Sequence, residues 1–539
     1  MRNPSFCRNT RSALFAVSVV IGIAVFDALG TDTTAPADSV EIHKMVARLA
    51  ADDPTEREVA TASMEDWPDS DLPLIQAEAA KPDLQLEQKL RLNNVLPRMQ
   101  ARAKLHARKI PSITQLLAWR AAMANSFYPK DGHTNAKWDT AARQIIDSEA
   151  MRAKVDGLEY DKTCDQEKKA IDQALAAGCD DPDILCIAGM FSADHSASDD
   201  DVYALFHKAN DAARQGKVSP CAGVLICGRV MRGMAGGRDG GIDRKKWDPV
   251  AQLAERMMRY YEEAAKSPGV PSEAVISMGE NIISSCERAQ FSLKPIYDRI
   301  YPAMEKAAPN NSRTLTIKGR VYIQWAWEGR GGGWANTVTP QGWKDFADRL
   351  AVASEVLKRA ADLEPGNPDP PTYLLTVALG QGWSRDELDK WYQRALDADP
   401  DNYAAAEAVR YYLEPKWYGS PDEMIAFGRS CFETRNWHGN MAFMLVDAHI
   451  ALAKESTNTE AYYRDAKVWA DLSSVYIAYL QVYPKDDEVR SKYAYYACQC
   501  QQWTTANELF KQLGDNADDD VFGGKEKLQQ MKADAAKKI

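Results

Sequence analysis

Metal-binding signatures, nucleophile motifs, an excess of basic charge and long hydrophobic runs are all absent or scarce in this chain of 539 residues. Its seven histidines (His43, His106, His133, His195, His207, His438, His449) have no HExxH or CxxC companion, so no zinc-site spacing is present. No GxSxG nucleophile elbow occurs either. Acidic side chains outnumber basic ones, 77 to 66, which argues against nucleic acid as a partner. Ten cysteines are too few to build a disulfide scaffold in so long a chain. Beyond residue 26 no segment approaches the roughly 20 uncharged apolar residues that a membrane-crossing helix needs. No stable membrane anchor, cofactor or metal is expected.

The beginning of the chain has the layout of a signal peptide. Arg2, Arg8 and Arg11 precede an uncharged, mostly apolar run from Ala13 to Phe26, and the small-residue pattern Ala28-Leu29-Gly30 follows. Residues 1–30 are therefore expected to be removed, with cleavage after Gly30, and Asp27 is the one awkward residue there. Cys7 precedes the apolar run, so it is not placed for lipid attachment. Cleavage takes away three arginines and one aspartate, leaving 63 basic against 76 acidic side chains. The mature protein is expected in the periplasm or outside the cell.

Nine cysteines would remain after cleavage, an odd number, so at least one stays unpaired. Export permits bridges, and Cys221 with Cys227 is the closest pair flanking a possible turn. Buried thiols are the plainer reading for most.

Apolar periodicity is helical in the N-terminal and C-terminal parts of the chain. Ile42, Met45, Val46 and Leu49 form a three-and-four stripe. Asp53-Pro54-Thr55-Glu56 then reads as a helix start, with Asp53 capping, Pro54 in the first turn and Glu56 bonding back. A second stripe, Leu92, Val95, Leu96, Met99 and Ala103, follows breaks at Trp67-Pro68 and Lys81-Pro82. This rhythm resembles a HEAT-like helical region over residues 31–110. Residues 111–295 read as irregular helix interrupted by glycine-rich loops such as Gly233 to Gly241. There Met257, Tyr261 and Ala264 precede Pro268, one residue short of the rhythm that follows.

Over residues 296–515, apolar residues recur twelve, eight and five positions ahead of a proline. The four cases are Tyr297, Tyr301, Met304 before Pro309; Ala353, Leu357, Ala360 before Pro365; Leu388, Tyr392, Ala395 before Pro400; and Leu472, Tyr476, Tyr479 before Pro484. Pro365 and Pro400 are 35 residues apart. Leu375 and Leu379 lie in the helix between them, and Tyr493, Ala494, Ala497, Ala506 and Phe510 follow a large, small, small, alanine, aromatic spacing. Together these features resemble the tetratricopeptide repeat, whose period is about 34 residues. The repeat's usual tryptophan and glycine are replaced by Thr372 and Thr376, so the array is degenerate. The resemblance implies an all-α solenoid of helical hairpins, each covering the apolar face its neighbour exposes. Ser384-Arg385-Asp386-Glu387 and Ser420-Pro421-Asp422-Glu423 supply capping boxes at two helix starts. Residues 516–539 read as a charged tail.

The most unusual stretch runs from Trp325 to Thr337, between helices, with the next helix starting near Thr339-Pro340. Arg330, Gly331, Gly332, Gly333, Trp334 and Asn336 are the candidate ligand or partner site. Three glycines allow close backbone approach, Arg330 offers a forked donor and tryptophan offers a stacking face. The plainer alternative is a loop whose tryptophans plug the groove between helices. Neither GxGxxG nor GK[ST] order is present, so this is no nucleotide fingerprint.

With Tyr411 to Gly419, this loop also resembles a bacterial tetratricopeptide-like family to which no activity is assigned. Glu414 to Gly419 reads as a binding rim or, more plainly, a packed linker. Trp383, Trp391, Trp437, Trp469 and Trp503 fall mostly on helical stripes, which favours core packing over sugar stacking. Asp447 and His449 are two apart on a helix, so they face different ways and form no ready dyad. No catalytic residue is assigned. The expected role is an exported scaffold for a protein or peptide partner; a hydrolase acting on envelope polymers and a self-associating subunit are the alternatives.

Overall fold

The computed structural model describes residues 39–65, 67, 69–107, 135, 137–152, 157–194, 199–215, 218–235, 247–437 and 439–538. The expected signal peptide lies outside the described residues, as do residues 108–134 and 236–246. Among the described residues every regular element is helical.

In chain order the helices are α1 (Ser39–Arg48), α2 (Pro54–Glu65), α3 (Leu72–Ala79), α4 (Leu86–Ala107), α5 (Asp139–Arg152), α6 (Gly157–Ala176), α7 (Pro182–Asp194) and α8 (Asp199–Gln215). Then come α9 (Pro220–Ala235), α10 (Trp247–Lys266), α11 (Ser272–Arg288), α12 (Leu293–Ala307), α13 (Ser312–Arg330) and α14 (Pro340–Leu363). The last part holds α15 (Asp369–Gln381), α16 (Arg385–Ala398), α17 (Tyr403–Tyr412), α18 (Pro421–Glu433), α19 (Met444–Glu455) and α20 (Thr459–Tyr463). It closes with α21 (Ala466–Val482), α22 (Asp487–Gln499), α23 (Trp503–Leu513), α24 (Asp519–Phe522) and α25 (Lys525–Lys537).

These helices form two compact units, one spanning His106–Glu364 and the other combining Thr34–Leu105 with Pro365–Ile539. In the middle of the first, helices pack on the next and also on the one after it: α9 on α10 and α11, α10 on α12, α11 on α12 and α13. That double adjacency is the packing of stacked helical hairpins, because a lone hairpin leaves one apolar face uncovered. Its core includes Phe206, Met257, Tyr261, Ile282, Ile300 and Val321, all 1% exposed or less. In the second unit the same scheme joins α15 to α16 and α17, and α19 to α21. There the N-terminal helices contribute a core of Ile42, Val46, Leu49, Leu92, Val95 and Met99, and α2 packs against α21.

The proline rhythm has a local cause. Each of α12, α14, α16 and α21 ends two residues before its proline, at Ala307, Leu363, Ala398 and Val482. The residue between is out of the helical region in every case, with φ/ψ of −149/84° at Ala308, −138/76° at Glu364, −147/99° at Asp399 and −119/68° at Tyr483. The pyrrolidine ring disfavours the helical region for the residue before it, and these four helices stop there, although Pro302 inside α12 shows that the ring alone does not force a stop. Two residues past each proline an Asn or Asp side chain then accepts an N–H at the start of the next helix, Asn311, Asn402 and Asp486 as N-caps and Asn367 from one residue ahead of the N-cap Pro368. Asn311 Oδ1 accepts from the N–H of Arg313, Asn367 Oδ1 from Asp369, Asn402 Oδ1 from Ala405 and Asp486 Oδ1 from Val489, at 2.9–3.0 Å. The twelfth residue ahead of each proline is buried in all four helices, at 3% for Tyr297 and 0% for Ala353, Leu388 and Leu472.

Pro268 obeys the same stop rule, since α10 ends at Lys266, yet its stripe residues Met257, Tyr261 and Ala264 sit one position later and are fully buried all the same. The serine half of each box is formed: Glu387 N donates to Ser384 Oγ and Glu423 N to Ser420 Oγ, both at 3.3 Å, while the Glu387 carboxylate accepts from Trp391 Nε1 and that of Glu423 from the Ser420 hydroxyl.

Several details depart from the sequence expectation. Glu56 accepts from Arg48 Nε at 3.1 Å instead of bonding back to its own helix start. Gly233 belongs to α9, not to a loop. Cys221 and Cys227 are on that same helix, so no turn separates them; six residues of helix set them about 9 Å apart along the axis, too far for a bridge. All nine described cysteines are buried thiols. Residues 519–537 hold two helices rather than only a charged tail, and Phe522, Leu528 and Ala535 enter the core of their unit.

Candidate partner-binding site

The candidate loop joins α13 to α14, the most extensively packed helix pair of the first unit. On α14, Phe346, Leu350, Ala353, Leu357, Ala360 and Ala361 are buried along one stripe, and Gly319 on α13 lets Leu357 seat directly against the α13 backbone. A Cβ at Gly319 would stand 2.3 Å from Leu357 Cγ.

At the top of this hairpin α13 runs on through Arg330, so Trp325 to Arg330 are its last turns and only residues 331–339 form the connection. Gly331 adopts φ 77° and donates its N–H to Trp327 O at 2.9 Å, a left-handed exit that favours glycine. Arg330 folds back over this turn. Its Nη1 donates to Gly331 O at 3.0 Å and Gly333 O at 3.1 Å, and its guanidinium lies 5.5 Å from the Trp327 ring centroid and 5.3 Å from that of Trp343. Cation–π contact with two indoles and two carbonyl acceptors fix it in place.

Gly333 is required by space, because a Cβ there would meet Thr337 Oγ1 at 2.3 Å. Thr337 in turn binds Trp334 O through both its N–H (2.8 Å) and its hydroxyl (2.7 Å). Thr339 Oγ1 accepts from Gly342 N at 3.0 Å and starts α14 with Pro340 in its first turn, where the sequence places it. The outcome is a short, internally bonded turn that holds Trp334 away from the helices. Its side chain is 80% exposed, more than any other large apolar side chain among the described residues.

The tryptophans of the stretch therefore divide. Trp325 is covered by Arg349, whose guanidinium sits 3.8 Å above its ring and whose Nη1 donates to Trp325 O at 2.7 Å. Trp327 meets Phe346 edge-on at 4.8 Å. These two plug the hairpin, and Trp334 does not. Gly331, Gly332, Gly333 and Asn336 are all exposed beside it. The six predicted residues thus lie together in one turn, but Arg330 spends donors on that turn itself.

Other sequence candidates resolve into packing. Tyr412 and Tyr418 stack at 4.8 Å, Glu414 pairs with Arg410 at 2.9 Å while 6% exposed, and a Cβ at Gly419 would meet Leu413 O at 2.3 Å. This is a packed linker. Trp437 is ringed by Phe432, Phe443 and Tyr479, and Trp469 stacks on Tyr493. Asp447 and His449 do face different ways. The Tyr403 hydroxyl donates to Asp447, and His449 links Tyr462 OH at 2.8 Å to Asp471 Oδ2 at 3.0 Å. Burial depresses the His449 pKa, against the pull of Asp471.

Two arginine groupings in the first unit escaped sequence reasoning. An open groove of about 510 Å³ is lined by Arg214, Ala251, Gln252, Glu255, Arg256 and Arg259. Its signal was the 252, 255, 256, 259 stripe on one face of α10. The second involves Arg229 and Arg232 on α9, a helix without a single acid in PCAGVLICGRVMRGMA. Among the described residues no group of three or more His, Cys, Asp or Glu is placed to hold a metal ion, and no helix is long and apolar enough to cross a membrane. Compared with known proteins, the chain matches no family model, and no curated protein matches it.

Proposed function

We propose that this protein is an exported, tetratricopeptide-like scaffold that captures a protein or peptide through the turn at Arg330 to Asn336. The observation that carries the reading is Trp334, 80% exposed on a turn made rigid by Arg330 and Thr337. Binding hot spots favour tryptophan, and a rigid presentation lowers the entropy lost on association. A large indole held in water by a bonded turn adds nothing to the core, so recognition is the role left to it. The stop-and-cap pattern at Pro309, Pro365, Pro400 and Pro484 supports the repeat assignment. Export rests on the signal-peptide layout of residues 1–30 and on the small-residue site ending at Gly30.

Capture from envelope extract tests this. Mature protein is expected to retain a specific partner that Trp334→Ala loses with unchanged far-UV circular dichroism; equal capture by both removes the turn from binding. N-terminal sequencing of the mature chain should begin at Thr31, and an intact Met1 would end the export reading. Release of soluble sugar from cell-wall material would favour the hydrolase instead, and a concentration-dependent mass would favour self-association.

A further inference from the structure

Arginines tie alternate helices together along the first unit. Arg299 on α12 reaches back to α10, where its Nη1 donates to Glu255 Oε2 at 2.7 Å and its Nε to Glu262 Oε1 at 2.5 Å. Arg313 on α13 reaches α11 in the same way, with Nη1 on Glu273 Oε2 at 3.0 Å and Nη2 on Glu280, and Arg320 bonds Glu287 on that helix. Each of these guanidiniums meets a carboxylate.

Arg256 on α10 makes the corresponding reach to α8, but its Nη2 donates to the neutral amide oxygen of Asn210. Asn210 is 5% exposed, so an amide stands at a buried joint where the other joints carry a carboxylate. Guanidinium keeps its proton in proteins, and the charge of Arg256 is therefore left uncompensated by that bond. Arg256 also lines the open groove of about 510 Å³, together with Arg214, Ala251, Gln252, Glu255 and Arg259. Among the described residues Arg259 has no hydrogen bond or ion pair. Arg214 comes no closer than 4.0 Å to Asp211. Glu255, the one acid of the lining, is already bonded to Arg299. One groove of a chain with net charge −11 thus holds three guanidiniums and no uncommitted carboxylate.

Volume and charge together select the ligand. The groove falls within the roughly 300–1,000 Å³ of clefts that hold small organic molecules, which is more room than a bare ion fills. Ala251 is its only apolar lining residue, so the occupant is hydrophilic. A phosphate monoester carries a charge of about −1.5 to −2 and three acceptor oxygens, enough for more than one forked guanidinium, whereas a single carboxylate is satisfied by one. We infer that the groove between α8 and α10 binds a phosphate monoester of a small polar molecule through Arg256, Arg259 and Arg214. Asn210 fixes Arg256 without neutralising it, and the two exposed arginines can swing onto the bound phosphate. The groove shares no residue with the Trp334 turn, and neither proposal rests on the other.

Isothermal titration of the protein comprising residues 31–539 tests this, with glycerol phosphate, inorganic phosphate and glutarate at matched ionic strength. Glycerol phosphate should bind saturably at one site per chain, and glutarate at least about tenfold more weakly. Weaker binding of inorganic phosphate shows that the groove also reads the carried molecule; equal binding shows that it reads the phosphate alone. Arg259→Gln, an exposed change, should keep the parent Tm and weaken binding about tenfold. Asn210→Asp places at this joint the carboxylate that the other joints have. It should hold or exceed the parent Tm at pH 7.5 while losing affinity by a similar factor, because Arg256 is then neutralised. No saturable binding of glycerol phosphate would overturn the proposal, as would glutarate binding equally well or undiminished affinity in both variants.

Discussion

The hydroxyl of Tyr403 on α17 donates to the carboxylate of Asp447 on α19, 44 residues further along the chain. Burial pushes the Asp447 pKa up to about 6 from 3.8, opposed by the Tyr403 bond, raised further by Glu407 and lowered by Arg410 and Lys492. An acid whose folded pKa exceeds its unfolded value holds its proton longer when folded. Stability therefore falls as pH rises from about 4 to 6, and the loss persists above that. The full rise corresponds to ~3 kcal/mol, and residual contact of Asp447 with solvent cuts this to ~1–2 kcal/mol. Asp447→Asn keeps an acceptor for Tyr403 and removes the charge. Its Tm is expected to exceed the parent's by a few degrees at pH 7.5 and to equal it near pH 4; the same difference at both values would show that Asp447 does not titrate in this window.

Gly319 and Leu357 pose a question of space. A methyl at 319 would overlap Leu357 Cγ at 2.3 Å, forcing α13 away from α14 along their most closely packed length. Gly319→Ala should destabilise by ~2–3 kcal/mol despite the better helix propensity of alanine. Adding Leu357→Ala removes the clashing atoms, so the double variant is expected to be more stable than the sum of the singles by at least ~1 kcal/mol in denaturant titration. Additive losses would place the strain elsewhere.

The nine described cysteines are all buried, and burial pushes the thiols of Cys286, Cys431, Cys498 and Cys500 up to about 12. Thiolate is the reactive species, so both access and ionisation protect them. Native protein comprising residues 31–539 should react with fewer than one equivalent of a thiol-specific disulfide reagent while the denatured chain titrates nine. A denatured count of seven or five would reveal one or two bridges.

How much of this was legible beforehand depends on the range of the physics involved. Helix stops at Pro309, Pro365, Pro400 and Pro484 were readable because a pyrrolidine ring acts on the residue beside it, and the serine caps at 384 and 420 act within three residues. The side-chain acceptors Asn311, Asn367, Asn402 and Asp486 obey an equally local rule, two places past each proline. Arg330 reads from the sequence as a donor for a ligand, whereas its inward fold onto Gly331 O and Gly333 O depends also on Trp343, thirteen residues away on another helix. Pairing of α2 with α21 and the meeting of Arg232 with Ser285 join segments far apart in sequence. No periodicity encodes such contacts, because they depend on how hairpins stack.

The division of labour within the Arg330 turn yields a last expectation. Arg330 bonds two carbonyls and lies against two indoles, so Arg330→Ala should free residues 331–338 to exchange amide hydrogens markedly faster. Those contacts are at the surface, where screened or solvated interactions contribute little, and the cost to global stability should stay within ~1 kcal/mol. Trp334→Ala removes a side chain that touches little of the fold, so its exchange profile and Tm should match the parent. The two variants then separate support from display: one loosens the turn while keeping the indole, and the other keeps the turn while losing it. If Trp334→Ala instead lowers the Tm by several degrees, its ring is part of the packing between α13 and α14, and a role in recognition loses its physical basis.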